Sequence, residues 1–138
     1  MKNEQKKNYL KRYKKNQAKI KRLEEKIEYI DSKLTKVSSM PMNGEIRGSN
    51  GVSKEDLIID KIDYEKRVEH LKTIGKQYKY EITSAIDSLD DTRHIDVLES
   101  FFIDCLTFDE TAIRLGYTLR HTIALYSQAI DRIEIPNT

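Results

Sequence analysis

A chain of 138 residues, 38% hydrophobic and 35% charged, carries enough apolar side chains for one modest core. Five Gly, two Pro and no Trp, with Lys, Glu, Ile and Leu abundant, favour long helices over strands, so the expected fold class is all-α. One cysteine excludes an intramolecular disulfide, and without a basic-then-apolar leader or a long apolar run the expected location is a cytoplasm, with no membrane as partner.

The net charge of +2 conceals an uneven division. Residues 1 to 37 hold thirteen Lys/Arg against five Asp/Glu, residues 38 to 90 hold eight against ten, and residues 91 to 138 hold four against eight. The segments therefore carry +8, −2 and −4, and a polyanion would feel the N-terminal arm first.

Along that arm Tyr9, Tyr13, Ile20, Leu23, Ile27, Ile30, Leu34 and Val37 recur at three-four spacing, with Asn16 as the polar seam position. A helix over about residues 3 to 37 would be roughly 50 Å long and needs a partner helix. The periodicity stops at Ser38-Ser39-Met40-Pro41, and residues 39 to 53, rich in Gly, read as a flexible loop. Ser53 followed by Asp56 resembles a helix N-cap with acidic residues in the first turn. A second seam follows in Leu57, Tyr64, Val68, Leu71, Tyr78, Ile82, Ala85 and Leu89, with Gly75 lying on it. Two matched helices and a reversing loop predict a long antiparallel, coiled-coil-like hairpin over residues 1 to 90. A homodimer that pairs the seams between chains is the alternative.

Residues 91 to 138 read as a separate helical domain. Ser88, Asp90 and Asp91 suit a cap, and Ile95, Leu98, Phe101 and Phe102 mark a short amphipathic helix. Thr107-Phe108-Asp109-Glu110 has the form of a capping box and opens a helix that should stop near Gly116. Thr118 offers the N-cap of a last helix running from 119 to about 133. Two helices joined by so few residues predict a helix-turn-helix. Its tight crossing needs a small residue and a turn glycine four positions apart, which Ala112 and Gly116 supply. Contacts between the helices are expected at Thr111, Leu115, Tyr117, Thr122 and Leu125.

The stretch Leu106-Thr107-Phe108-Asp109-Glu110-Thr111-Ala112, followed by Leu115-Gly116-Tyr117-Thr118, resembles small phage proteins akin to region 4 of sigma-70 factors, including ArpU/RinA-like late transcription regulators. Leu119-Arg120-His121 and Ala129-Ile130 match a subgroup of that family. Its N-terminal part is similar to Tyr9-Leu10 and Arg22-Leu23-Glu24-Glu25 ahead of a Met-Pro loop. Departures are Cys105, where the family often has Gly, Thr111 and Thr122 in place of aliphatics, and Ala124, where the subgroup often has Arg. The resemblance implies a DNA-binding phage or prophage regulator in a bacterial cytoplasm, with double-stranded DNA and RNA polymerase as partners.

In a helix-turn-helix the second helix enters the major groove with its N-terminal residues facing base edges. Thr118 would then reach a phosphate and Arg120 a guanine or a phosphate, while Leu119, His121, Ile123, Ala124 and Ser127 line the same outer face. Lys11, Arg12, Lys14, Lys15 and Lys19 are the expected backbone-binding arm, offsetting the acidic C-terminal segment. His70, His94, His121 and Cys105 show no metal-ligand spacing, and there is no phosphate loop or nucleophile elbow, so neither enzyme chemistry nor a metal or cofactor is expected. Two rival functions are an adaptor that docks on RNA polymerase with little DNA contact, and a small terminase subunit, which also combines a helix-turn-helix with long helices.

Overall fold

The computed structural model describes residues 2–39 and 53–136, whose regular structure is entirely helical. Two long helices, α1 (Lys2–Ser39) and α2 (Lys54–Asp87), precede three short ones. These are α3 (Thr92–Leu98), which runs on into a π-helical turn (Glu99–Ile103), then α4 (Phe108–Leu115) and α5 (Leu119–Arg132). The flexible loop expected over residues 39 to 53 lies, apart from its two end residues, outside the described residues. No helix among the described residues is long and apolar enough to cross a membrane.

Helix starts follow the capping chemistry in the sequence. Ser53 Oγ accepts the Asp56 N–H at 3.1 Å, and Glu55 and Asp56 sit in the first turn of α2, where the helix dipole favours negative charge. Asp91 caps α3 by accepting the Arg93 N–H at 2.9 Å.

The chain divides into two compact units, Met1–Gln17 with Ile74–Thr138, and Ala18–Thr73. The divisions fall inside α1 and α2, whereas the sequence reading placed one boundary at residue 90. The reason lies in the core of the first unit, where Leu10 of α1 and Ile82 and Ile86 of α2 are buried with Leu98, Phe102, Ala129, Ile130 and Ile133. Three short helices present too little apolar surface to close a core alone, and the first turns of α1 with the last turns of α2 complete it. In the same unit Arg12 meets Glu81 at 2.8 Å, and Gly75 lies against the buried Asn16. A Cβ on Gly75 would fall 2.5 Å from Asn16 Oδ1, so glycine is what lets the polar seam residue stay inside.

In the second unit α1 and α2 run antiparallel, as their ion pairs show: Asp31 meets Lys61 at 2.7 Å and Glu24 meets Lys72 at 3.7 Å. Ile20, Ile30, Leu57 and Val68 are buried along the seam, and Leu23, Ile27, Leu34, Tyr64 and Leu71 are half-buried beside them. The heptad positions thus mark the packed face, as expected of two helices sharing one apolar stripe each.

Candidate functional site

The site expected from the sequence is built on α4, α5 and the three residues between them. Thr107 opens α4 with a complete capping box: its Oγ1 accepts the Glu110 N–H at 3.1 Å, while Glu110 Oε1 accepts the Thr107 N–H at 2.9 Å. Gly116 ends the helix in the left-handed region, with φ 74°, and the Tyr117 N–H closes onto the Ala112 carbonyl at 3.0 Å. Thr118 then caps α5, its Oγ1 accepting the His121 N–H at 3.1 Å. Gly116, Tyr117 and Thr118 are thus the whole connection between the two helices.

Burial sorts the two helices into an inner and an outer side. Thr111, Ala112, Thr122, Leu125, Ala129 and Ile130 are buried, and Leu115 and Tyr117 are half-buried. Thr122 Oγ1 donates to the Thr118 carbonyl at 2.9 Å, whereas the hydroxyl of Thr111 is buried with no hydrogen-bond partner among the described residues. All seven residues assigned to the outer side, Thr118, Leu119, Arg120, His121, Ile123, Ala124 and Ser127, are exposed. The rings of His121 and Tyr117 meet edge to face at 5.0 Å, which steadies the imidazole at the start of α5. Only one of the seven carries a fixed charge. Leu119 and Ile123 are 43% and 44% exposed, and Ile113 on α4 is 82% exposed. Ile113 was absent from the sequence reading, although an isoleucine between two core positions of an amphipathic helix is the pattern that marks it.

The basic arm is distributed differently from the expectation. Arg12 bonds Glu81 and the Tyr9 carbonyl, at 3.0 Å, and its guanidinium stacks 3.9 Å from the Tyr9 ring and 4.6 Å from the Tyr78 ring. Its hydrogen bond holds the Glu81 carboxyl below the usual carboxylate range. The Lys14 ammonium sits 3.5 Å from the centre of the Phe101 ring, and burial pushes its pKa down. Both residues are therefore occupied inside the first unit. Lys11 is half-buried and Lys15 exposed in that unit, while Lys19 is exposed in the other.

A third basic residue of the N-terminal segment also has an internal task. Lys6 is buried and donates to the Ile130 and Asp131 carbonyls at 2.9 and 3.0 Å, satisfying the last turn of α5. Beside it Asn3 Nδ2 donates to Asp131 Oδ1 at 2.6 Å. The first turns of α1 thus tie down the last turn of α5 within one unit. Local sequence cannot reveal these hydrogen bonds, because the partners lie more than a hundred positions apart. In comparisons with protein-family models, curated proteins and solved structures, nothing matches this chain.

Proposed function

We propose that α4 and α5 form a helix-turn-helix that lays the N-terminal half of α5 in the major groove of double-stranded DNA, and that the chain is a phage or prophage transcription regulator of the sigma-70 region 4-like kind. One observation carries the reading: two helices joined by three residues through Gly116 bury one side each, while Thr118, Leu119, Arg120, His121, Ile123, Ala124 and Ser127 stay in solvent. Arg120 is the only fixed charge there, so it is the side chain assigned to a guanine edge or an adjacent phosphate. Lys11 and Lys15 remain for phosphate contacts in the same unit, and Lys19 in the other, since Arg12 and Lys14 are held internally.

The reading is tested with Arg120→Ala by fluorescence anisotropy on the promoter duplex selected by the wild-type chain and on a scrambled duplex. The variant should lose about 1 to 3 kcal/mol on the selected duplex and little on the scrambled one. Unchanged binding to both would remove Arg120 from the interface and the groove assignment with it.

A second reading, docking on RNA polymerase with little DNA contact, is favoured by the apolar exposure of Ile113, Leu119 and Ile123 and by the four extra acidic residues of the last segment. It requires that Arg120→Ala leave polymerase capture intact while Ile123→Ser abolishes it.

A further inference from the structure

The Ala18–Thr73 unit carries two grooves of similar size, about 550 and about 620 Å³, on opposite sides of its α1–α2 seam. The first carries no carboxylate on its rim, which is Lys19, Arg22 and Lys26 from α1, and Lys66, Arg67 and His70 from α2. Its floor is Leu23 and Leu71. The second is rimmed by Glu24 and Glu28 from α1 and by Glu65 and Glu69 from α2, with Lys72 as its one cation, over a floor of Ile27 and Val68. Helical spacing explains the segregation. Positions 19, 22 and 26 flank the α1 seam on one side and 24 and 28 on the other; 66, 67 and 70 flank the α2 seam on one side and 65, 69 and 72 on the other.

Few of these charges are satisfied internally. Lys72 reaches Glu24 at 3.7 Å, and Arg67 meets Asp63 at 3.1 Å, but Glu28, Glu65 and Glu69 make no ion pair among the described residues. A two-helix layer also leaves both sides of its apolar seam open to water, because each helix covers the other on one side only.

We propose that this unit binds a second copy of the chain, the cationic groove of one copy seating on the acidic groove of the next. The occupant is a second copy because each groove presents the charge and the apolar floor that the other requires. A nucleic-acid backbone would use the cations but would leave the leucine floor and the whole acidic groove unexplained. Since the grooves lie on opposite sides of the seam, a two-fold dimer cannot engage both; association runs head to tail and either closes into a ring or continues as a filament. The proposal shares only Lys19 with the DNA reading, whose groove contact rests on α5.

Light scattering coupled to size exclusion tests it first on the wild-type chain. At roughly 100 µM protein in low salt the mass should exceed the 16.2 kDa of one copy and rise with concentration, and it should fall to one copy when salt shortens the screening length to roughly 3 Å near 1 M. Two variants then assign the faces: Lys26→Glu with Lys66→Glu, and Glu28→Lys with Glu69→Lys. Each alone should run as a single copy, while an equimolar mixture restores one native junction and runs as two. Should either variant lose its helical circular dichroism, carbodiimide cross-linking of mixed light- and heavy-isotope wild-type chains decides instead: Lys26 or Lys66 of one copy should join Glu28, Glu65 or Glu69 of another. A wild-type mass of one copy throughout the low-salt range would overturn the proposal, as would variants that associate like wild type, or inter-copy cross-links that avoid both grooves. Unchanged mass combined with loss of binding to random duplex in the lysine variant would reassign the cationic groove to phosphate.

Discussion

Thr111 on α4 and Thr122 on α5 are both fully buried, yet their hydroxyls meet different fates. A buried hydroxyl with no partner retains its desolvation cost, while one that donates to a carbonyl recovers most of it. Thr111→Val removes an unpaired hydroxyl at nearly constant volume and should stabilise the fold by about 1 kcal/mol in urea unfolding. Thr122→Val gives up the bond to the Thr118 carbonyl, which keeps the Thr122 N–H at 3.0 Å, and should cost up to about 1 kcal/mol. The two substitutions should therefore differ in sign. Cys105 is a comparable case in the backbone: it occupies the left-handed region at φ 59°, a conformation that glycine adopts without a Cβ penalty. Asp91 carries a residue-scale pH dependence. The Arg93 guanidinium and then the Arg93 N–H hold its carboxyl down from 3.8 to about 2. A depressed carboxyl stabilises the fold above its unfolded pKa, and the contribution disappears as pH falls through the folded value. Thermal melts of wild type and Asp91→Asn should therefore differ at pH 5 and converge by about pH 2, since asparagine keeps a capping oxygen but does not titrate.

The contact of Asn16 with Gly75 joins α1 to α2 through the smallest possible residue. Gly75→Ala gains about 1 kcal/mol of helix propensity but drives a methyl group onto Asn16 Oδ1, in a buried site where the short amide has little room to retreat. The substitution should destabilise by about 1 kcal/mol or more, and adding Asn16→Ala should recover most of the loss. A coupling below about 0.5 kcal/mol in that double-mutant cycle would show that the contact does not restrict the helices. At this scale much was legible in the sequence. The Thr107-to-Glu110 box, the Gly116 stop and the Thr118 cap all lie where local chemistry puts them, since caps depend on residues three or four positions apart. The α1 and α2 seams were legible for the same reason. Leu10 was not read as a seam position, because it follows Tyr9 directly and faces the core of α3 and α5, whose direction α1 alone does not encode. The π-helical turn at Glu99–Ile103 likewise has no local signature; it places Phe101 against Phe108, ring centres 4.5 Å apart, and buries Phe102. The internal tasks of Lys6, Arg12 and Lys14 were hidden too, because each depends on a partner remote in sequence.

Distance along the chain is the main feature of the Met1–Gln17 and Ile74–Thr138 unit. Lys6 ties its two segments together by capping α5, so Lys6→Met, which keeps the aliphatic stem and removes the donor, should cost about 1 to 3 kcal/mol in urea unfolding with helix content retained. A change below about 0.5 kcal/mol would mean that water serves the α5 carbonyls equally well. The core that joins Leu10 to Ile133 also orders events during translation. Ala18–Thr73 is one continuous stretch, so its helices have their partners once they leave the ribosome. The apolar turns around Leu10, Ile82 and Ile86 must instead wait for Phe102, Ala129 and Ile133 to be synthesised. Until then the nascent chain carries an uncovered apolar surface around Leu10, the kind of surface on which chaperones and proteases act.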